Sequence, residues 1–162
     1  SKPAPPLPTK PFEAYRIEAD PAAQKDILKR VAVEIDAAVK NGEKLKAWLT
    51  LNGRREEIAI GGADEKGLKL SVDGNSLPLK WDKISPEEVF DLLKNIAADK
   101  GERLVLAGEM AMALGKADDA ISIFAQVRAN APELAAKISG LVERISKAAA
   151  AKAVPEKPVT PQ

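Results

Sequence analysis

The sequence contains no cysteine and no histidine. Without them there is no disulfide, no thiolate nucleophile, no imidazole base and none of the common transition-metal ligand sets. The missing cysteine assigns no compartment, because disulfide-free chains work on either side of a membrane. Aromatic residues make up 4% of the 162 positions, so the core is expected to be thin and built from Leu, Ile, Val and Ala. No apolar run reaches the roughly 18 residues of a membrane-spanning helix, and no signal peptide is recognisable. Starting at Ser1, the chain reads as a piece excised from a longer protein or trimmed of a leader. An excess of one charge is missing as well: 25 Lys and Arg face 24 Asp and Glu, a net of +1. The balance is also local. Residues 1–43 carry seven charges of each sign, 44–82 seven basic and six acidic, and 83–162 eleven of each. No region is basic enough for strong phosphate neutralisation, which argues against a nucleic-acid partner.

Proline is plentiful at one end. Residues 1–11, SKPAPPLPTKP, hold Pro3, Pro5, Pro6, Pro8 and Pro11, which prevents a helix or central strand and predicts an extended tether. The same prolines, with Lys2 or Lys10, fit a short proline-ligand pattern, but such matches are common in tethers.

Asp20 and Pro21 form a helix start. Ile27, Leu28, Val31, Ile35, Ala38 and Val39 then recur at helical spacing, with Lys25, Lys29, Arg30, Glu34 and Lys40 opposite, until Asn41 and Gly42. From Lys44 the period changes to two. Leu45, Ala47, Leu49 and Leu51 alternate with Lys46, Trp48 and Thr50, and Asn52-Gly53 turns the chain toward Ile58 and Ile60. A loose connection is expected over residues 61–67. A turn at Asp73-Gly74 then sets Leu70 opposite Leu77 and Leu68 opposite Leu79, with Trp81 on the same face. Four short strands of this kind need a helix to cover them.

Ser85, Pro86 and Glu88 spell a capping box, with Ile84 able to staple onto Val89. The helix they open buries Val89, Phe90, Leu92, Leu93 and Ile96 and stops near Lys100-Gly101. Residues 102–132, ERLVLAGEMAMALGKADDAISIFAQVRANAP, resemble one tetratricopeptide repeat. Counting Gly101 as the first of 34 positions, Leu104, Ala107 and Gly108 stand in helix A, Gly115 ends it, Ala120 and Phe124 lie in helix B, and Pro132 closes the unit. Ala111 and Val127 depart from the family pattern, which usually has an aromatic at the first position and a small residue at the second. The resemblance implies a close-packed helical hairpin; a peptide groove is not carried over. From Glu133 to about Ala151 a further helix, with Leu134, Ile138, Leu141, Val142 and Ile145 inward, caps the hairpin. Residues after it form a second tail.

The order of a helix followed by a small meander resembles SH3-like and Sm-like barrels. The stretch LPLKWDKISPEEVFDLL is similar to accessory modules of large multidomain bacterial signalling and surface proteins, including some protein-kinase chains. That likeness implies a non-catalytic segment flanked by Pro-rich linkers.

Chemistry is sparse. The carboxylate pairs Glu56-Glu57, Glu87-Glu88 and Asp118-Asp119 sit near a hairpin or open a helix, where negative charge is favourable without catalysis. Neither the 61–67 stretch nor Leu114-Gly115-Lys116-Ala117 has the lysine-hydroxyl ending and helix of a phosphate loop. Asp64 and Glu65 supply too few oxygens for calcium. By alternation Trp48 faces away from Leu49 and Leu51, so it meets a second helix or lies exposed as a contact residue.

The expectation is therefore an α+β protein: an N-terminal helix, a four-stranded antiparallel β meander of SH3-like or Sm-like kind, and a tetratricopeptide-like helical hairpin with a capping helix. Its divisions are a Pro-rich linker (1–19), a helix with a small β domain (20–83), an α-helical region (84–152) and a tail (153–162). The expected role is a non-catalytic protein–protein interaction or scaffolding module of a larger multidomain protein. An RNA-binding barrel, using Lys44, Lys46, Trp48, Arg54 and Arg55, and a structural spacer are the alternatives. No catalytic, cofactor-binding or metal-binding residue is assigned. The contact candidates are Trp48, Arg54, Arg55, Glu109, Met112 and Lys116, chosen as exposed positions. The expected partners are another protein and the parent polypeptide, without membrane insertion, in a cytoplasmic or extracytoplasmic location.

Overall fold

The computed structural model describes residues 17–98 and 100–153. The expected linker and tail over 1–16 and 154–162 lie outside the described residues. The chain is α+β: helix α1 (Pro21–Lys40), four strands β1 (Leu45–Leu51), β2 (Arg54–Asp64), β3 (Gly67–Val72) and β4 (Asn75–Lys80), then helices α2 (Pro86–Ala97), α3 (Gly101–Ala113), α4 (Ala117–Asn130) and α5 (Ala135–Ala153).

Asp20 starts α1 as its composition predicts. The Asp20 carboxylate accepts the Ala23 amide at 3.1 Å, and Pro21 takes the position where a missing N–H costs nothing. Ile27, Val31, Ile35 and Ala38 are buried on one stripe, and α1 lies across β2. Arg30 and Glu34, expected on the solvent side, instead face α3 through ion pairs with Glu109 and Arg103. Thus α1 packs on two elements at once.

The sheet is an antiparallel meander in the order β1-β2-β3-β4. Both tight turns have the positive φ pair that a two-residue hairpin requires, Asn52 (52°) with Gly53 (77°) and Asp73 (51°) with Gly74 (79°). Register follows from them: Ala47 faces Ile58, Leu70 faces Leu77, and Leu68 faces Leu79. One expectation fails here. Residues 61–64 are strand, not loop, because a register shift between Ile60 and Gly62 lets β2 continue to Asp64. Such a bulge accommodates an extra residue without ending the ladder and returns Ala63 to the core. The turn shrinks to Glu65-Lys66, where the Asp64 carboxylate accepts the Lys66 and Gly67 amides.

The two sheet edges are protected differently. At β1 the Thr50 amide donates to the Glu88 carboxylate at 2.9 Å, so α2 covers that edge. At β4 the alternation set by the turn points the nitrogen of residue 78 outward, and that residue is proline. An edge without its central donor is a poor template for another strand.

The capping box forms as expected. Ser85 Oγ accepts the Glu88 amide at 3.1 Å, and Glu88 Oε1 accepts the Ser85 amide at 3.3 Å. Burial raises the Glu88 pKa, but the Thr50 and Ser85 donors outweigh it and leave the carboxyl below its usual range.

Helices α3 and α4 pair antiparallel through a turn at Gly115, whose φ of 78° suits glycine. Gly108 is needed for close approach: a Cβ there would stand 2.4 Å from Cε1 of the fully buried Phe124. Ten of the thirteen α3 residues are buried, because α1, α2 and α4 enclose it. Ile138, Val142 and Ile145 of α5 are buried as well.

Candidate functional site

Helix α1 runs antiparallel to α3. The Asp20 amide and the Gln24 side chain both donate to the Ala113 carbonyl, at 2.8 and 2.9 Å. Arg30 meets Glu109 halfway along, and Glu34 meets Arg103 at the far end. Helix α5 approaches α3 from another side, with Lys137 paired to Glu102 at 2.5 Å. Between α1 and α5, over the C-terminal half of α3, the helices leave a half-open cleft of about 620 Å³.

Its floor is apolar: Ile27 and Ala23 from α1, Met112 and Ala113 from α3, and Leu141 from α5. Its walls are charged and unlike. The α1 side, with the segment before it, brings Glu18, Asp20 and Asp26; the α5 side brings Arg144 and Lys147. Arg30 and Glu109 close one end as a two-bond clasp, Nη1 to Oε1 at 2.9 Å and Nη2 to Oε2 at 2.6 Å. The Glu109 hydrogen bond raises the Arg30 pKa against the opposing effect of burial. Ile17 stands at the other end. There the chain crosses the α3–α4 turn so closely that a Cβ on Gly115 would lie 3.0 Å from the Ile17 carbonyl oxygen.

Two of the carboxylates that border the cleft already have partners. Asp20 uses one carboxylate oxygen in its cap, and Glu109 uses both of its oxygens in the arginine clasp. Among the described residues, no group of three or more acidic side chains is arranged to share a metal ion. No helix among them is long and apolar enough to cross a membrane.

The six contact candidates do not form one surface. Glu109 and Met112 come together in the cleft, but not as exposed residues. Met112 is 7% exposed and Glu109 is clasped by Arg30, because α1 covers a face of α3 that the hairpin alone would leave open. Lys116 lies outside the cleft lining, with its ammonium 5.6 Å from the centre of the Phe90 ring. Trp48 is on the outer face of the sheet, 44% exposed, opposite Glu57. Arg55 shares that face and approaches Asp91 at 3.7 Å. Arg54, one residue earlier, points to the other face by strand alternation and borders a shallow depression with Leu51, Val72 and Leu77. Lys46 is 4.0 Å from Glu57. The cations beside Trp48 are thus matched by carboxylates, which weakens the electrostatic case for RNA there.

Sequence reading missed Asp26, Arg30, Arg144 and Lys147 as residues of one site. They come from helices more than a hundred positions apart. A weak signal existed in α3, whose apolar residues surround the whole helix and so demand partners on every side. Comparisons of the chain with protein-family models, with curated proteins and with solved structures return no match.

Proposed function

We propose that the protein is a non-catalytic protein–protein interaction module of a larger assembly, and that the cleft between α1 and α5 is its contact surface. The observation that carries this reading is the cleft itself: an apolar floor held open between walls of opposite charge. Ile27, Met112 and Ala113 are already buried at the base, so the apolar surface that a partner would remove from water belongs mainly to the half-buried Ala23 and Leu141, while the charged rim selects which partner does so. Its half-open shape suits a protruding segment of another protein. Trp48 is a separate exposed aromatic and the competing contact point.

The test is retention of proteins from lysate of the source organism on the immobilised full chain, at two salt concentrations. Ala23→Trp fills the cleft; Trp48→Ala removes the sheet contact. The expected result is a set of retained proteins lost with Ala23→Trp and kept with Trp48→Ala. Loss with Trp48→Ala alone moves the contact to the sheet. Salt-sensitive retention of RNA supports the barrel reading instead, and nothing retained at either salt supports a structural spacer.

A further inference from the structure

We propose that the cleft receives an amphipathic helix carrying basic residues along one edge of its apolar stripe and acidic residues along the other. The inference rests on the reading of the cleft as a contact surface and names the chemistry of its occupant.

Backbone accounting selects a helix over an extended peptide. The long sides and floor of the cleft are three helices, whose internal amides and carbonyls bond to one another, and the non-helical segment holding Ile17 and Glu18 borders only one end. The carbonyls at the end of α3 are also used. Met110 accepts from Leu114, Ala111 from Lys116, Met112 from Gly115, and Ala113 from Asp20 and Gln24. A strand laid along these helices would therefore bury amides with nothing to bond over most of its length. A helix satisfies its own amides and presents only side chains. From Asp20 to Arg30 the α1 wall is about 15 Å long at the usual helical rise, enough for about three turns of a partner.

Charge selects the edges. Asp20 and Asp26 on the α1 wall favour Lys or Arg opposite them. Arg144 and Lys147 on the α5 wall favour Asp or Glu, and neither has an ion-pair partner among the described residues. Turning a bound helix end for end exchanges its edges, so either arrangement of unlike edges fits the walls, each in one direction.

The test uses three side-chain-stapled peptides of about 14 residues with one leucine stripe and equal helicity. One has lysine on one edge and glutamate on the other, one has lysine on both, and one has glutamate on both. Binding to the full chain is read by fluorescence anisotropy, and the site by amide chemical-shift changes. The mixed peptide is expected to bind about tenfold tighter than either uniform peptide, as two or three rim ion pairs provide. Its shifts are expected around Ala23 and Leu141. In the R144E/K147E double variant both walls are acidic, and the all-lysine peptide is expected to become the tightest. Equal affinity for all three peptides at the cleft overturns the charged-edge inference and leaves the cleft as a contact surface. Binding by none, or binding unaffected by Ala23→Trp, overturns both.

Discussion

The two ends of the α1–α3 interface use the same residue types to opposite effect. At the end near the start of α3, Arg103 is enclosed. Its Nε donates to Glu34 at 2.9 Å, its Nη1 to Glu43 at 3.0 Å and to the Ile96 carbonyl at 2.9 Å, and its Nη2 to the second Glu43 oxygen. Lys100 adds another pair to Glu43. At the other end, Asp26, Arg144 and Lys147 ring an open cleft without closing on one another. A buried guanidinium must have its partners within the chain, because losing water without them would be prohibitive. Charges on an open rim carry no such demand and are available to an outside partner. The contrast makes charge at one end structural, and under the proposed function charge at the other selective.

The strongest way to break the contrast is at Arg103. Arg103→Ala removes the guanidinium and leaves Glu34 and Glu43 facing each other beside an unpaired Ile96 carbonyl. The predicted loss is about 3 kcal/mol, toward the low end for a broken buried pair because both carboxylates retain some water. Urea unfolding of the variant and parent measures it, and a midpoint unchanged from the parent would refute the structural assignment.

Acid probes the same knot more gently. The Arg103 and Lys100 hydrogen bonds, in that order, hold the Glu43 carboxyl down to about 2. Its folded pKa is thus below the unfolded one, so the folded state favours the ionised form. That stabilisation is complete above the ordinary Glu value of about 4.3 and disappears as pH falls toward 2. Glu43→Gln is expected to be less stable than the parent at pH 7 and to flatten the decline between those limits, as read by thermal unfolding across pH. A parallel decline in both proteins would place the acid sensitivity elsewhere.

The boundary between the two regions is the Arg30–Glu109 clasp. Its geometry is favourable, yet the arginine is 44% exposed, so water and salt screen it. Glu109→Gln should cost only about 0.5 kcal/mol and less at high ionic strength. Urea midpoints at low and high salt check both statements. A loss comparable to that of Arg103→Ala would mean that the closed region extends to the cleft mouth.

The distribution of legible and illegible features follows the same division between local and distant causes. The Asp20 cap, the Asn52-Gly53 and Asp73-Gly74 turns and the Ser85–Glu88 box were readable because each is decided within a few residues. The Leu70–Leu77 register followed from a turn and a period. The extension of β2 past Ile60 was not readable, because the glycines at 61 and 62 fit a loop or a bulge equally well until β3 is placed. Arg103 and Glu43 lie 60 positions apart, and nothing near either one announces the other. The exposure expected of Met112 failed for the same reason. A hairpin considered by itself leaves that side of α3 open, and only the distant α1 covers it.

The smallest expected effect is also the sharpest test of what the cleft charges are for. Arg144→Ala and Lys147→Ala remove cations that touch no carboxylate among the described residues, from exposed positions of α5. Alanine also suits a helix at least as well as either residue. Each variant should therefore unfold within about 0.5 kcal/mol of the parent, while affinity for the mixed-edge peptide falls. If removing either cation destabilised the fold as Arg103→Ala does, the cleft would be a second structural knot. If neither fold nor peptide affinity changed, the basic wall would play no part in selection. Loss of affinity at constant stability is the combination that separates a charge kept for folding from one kept for a partner.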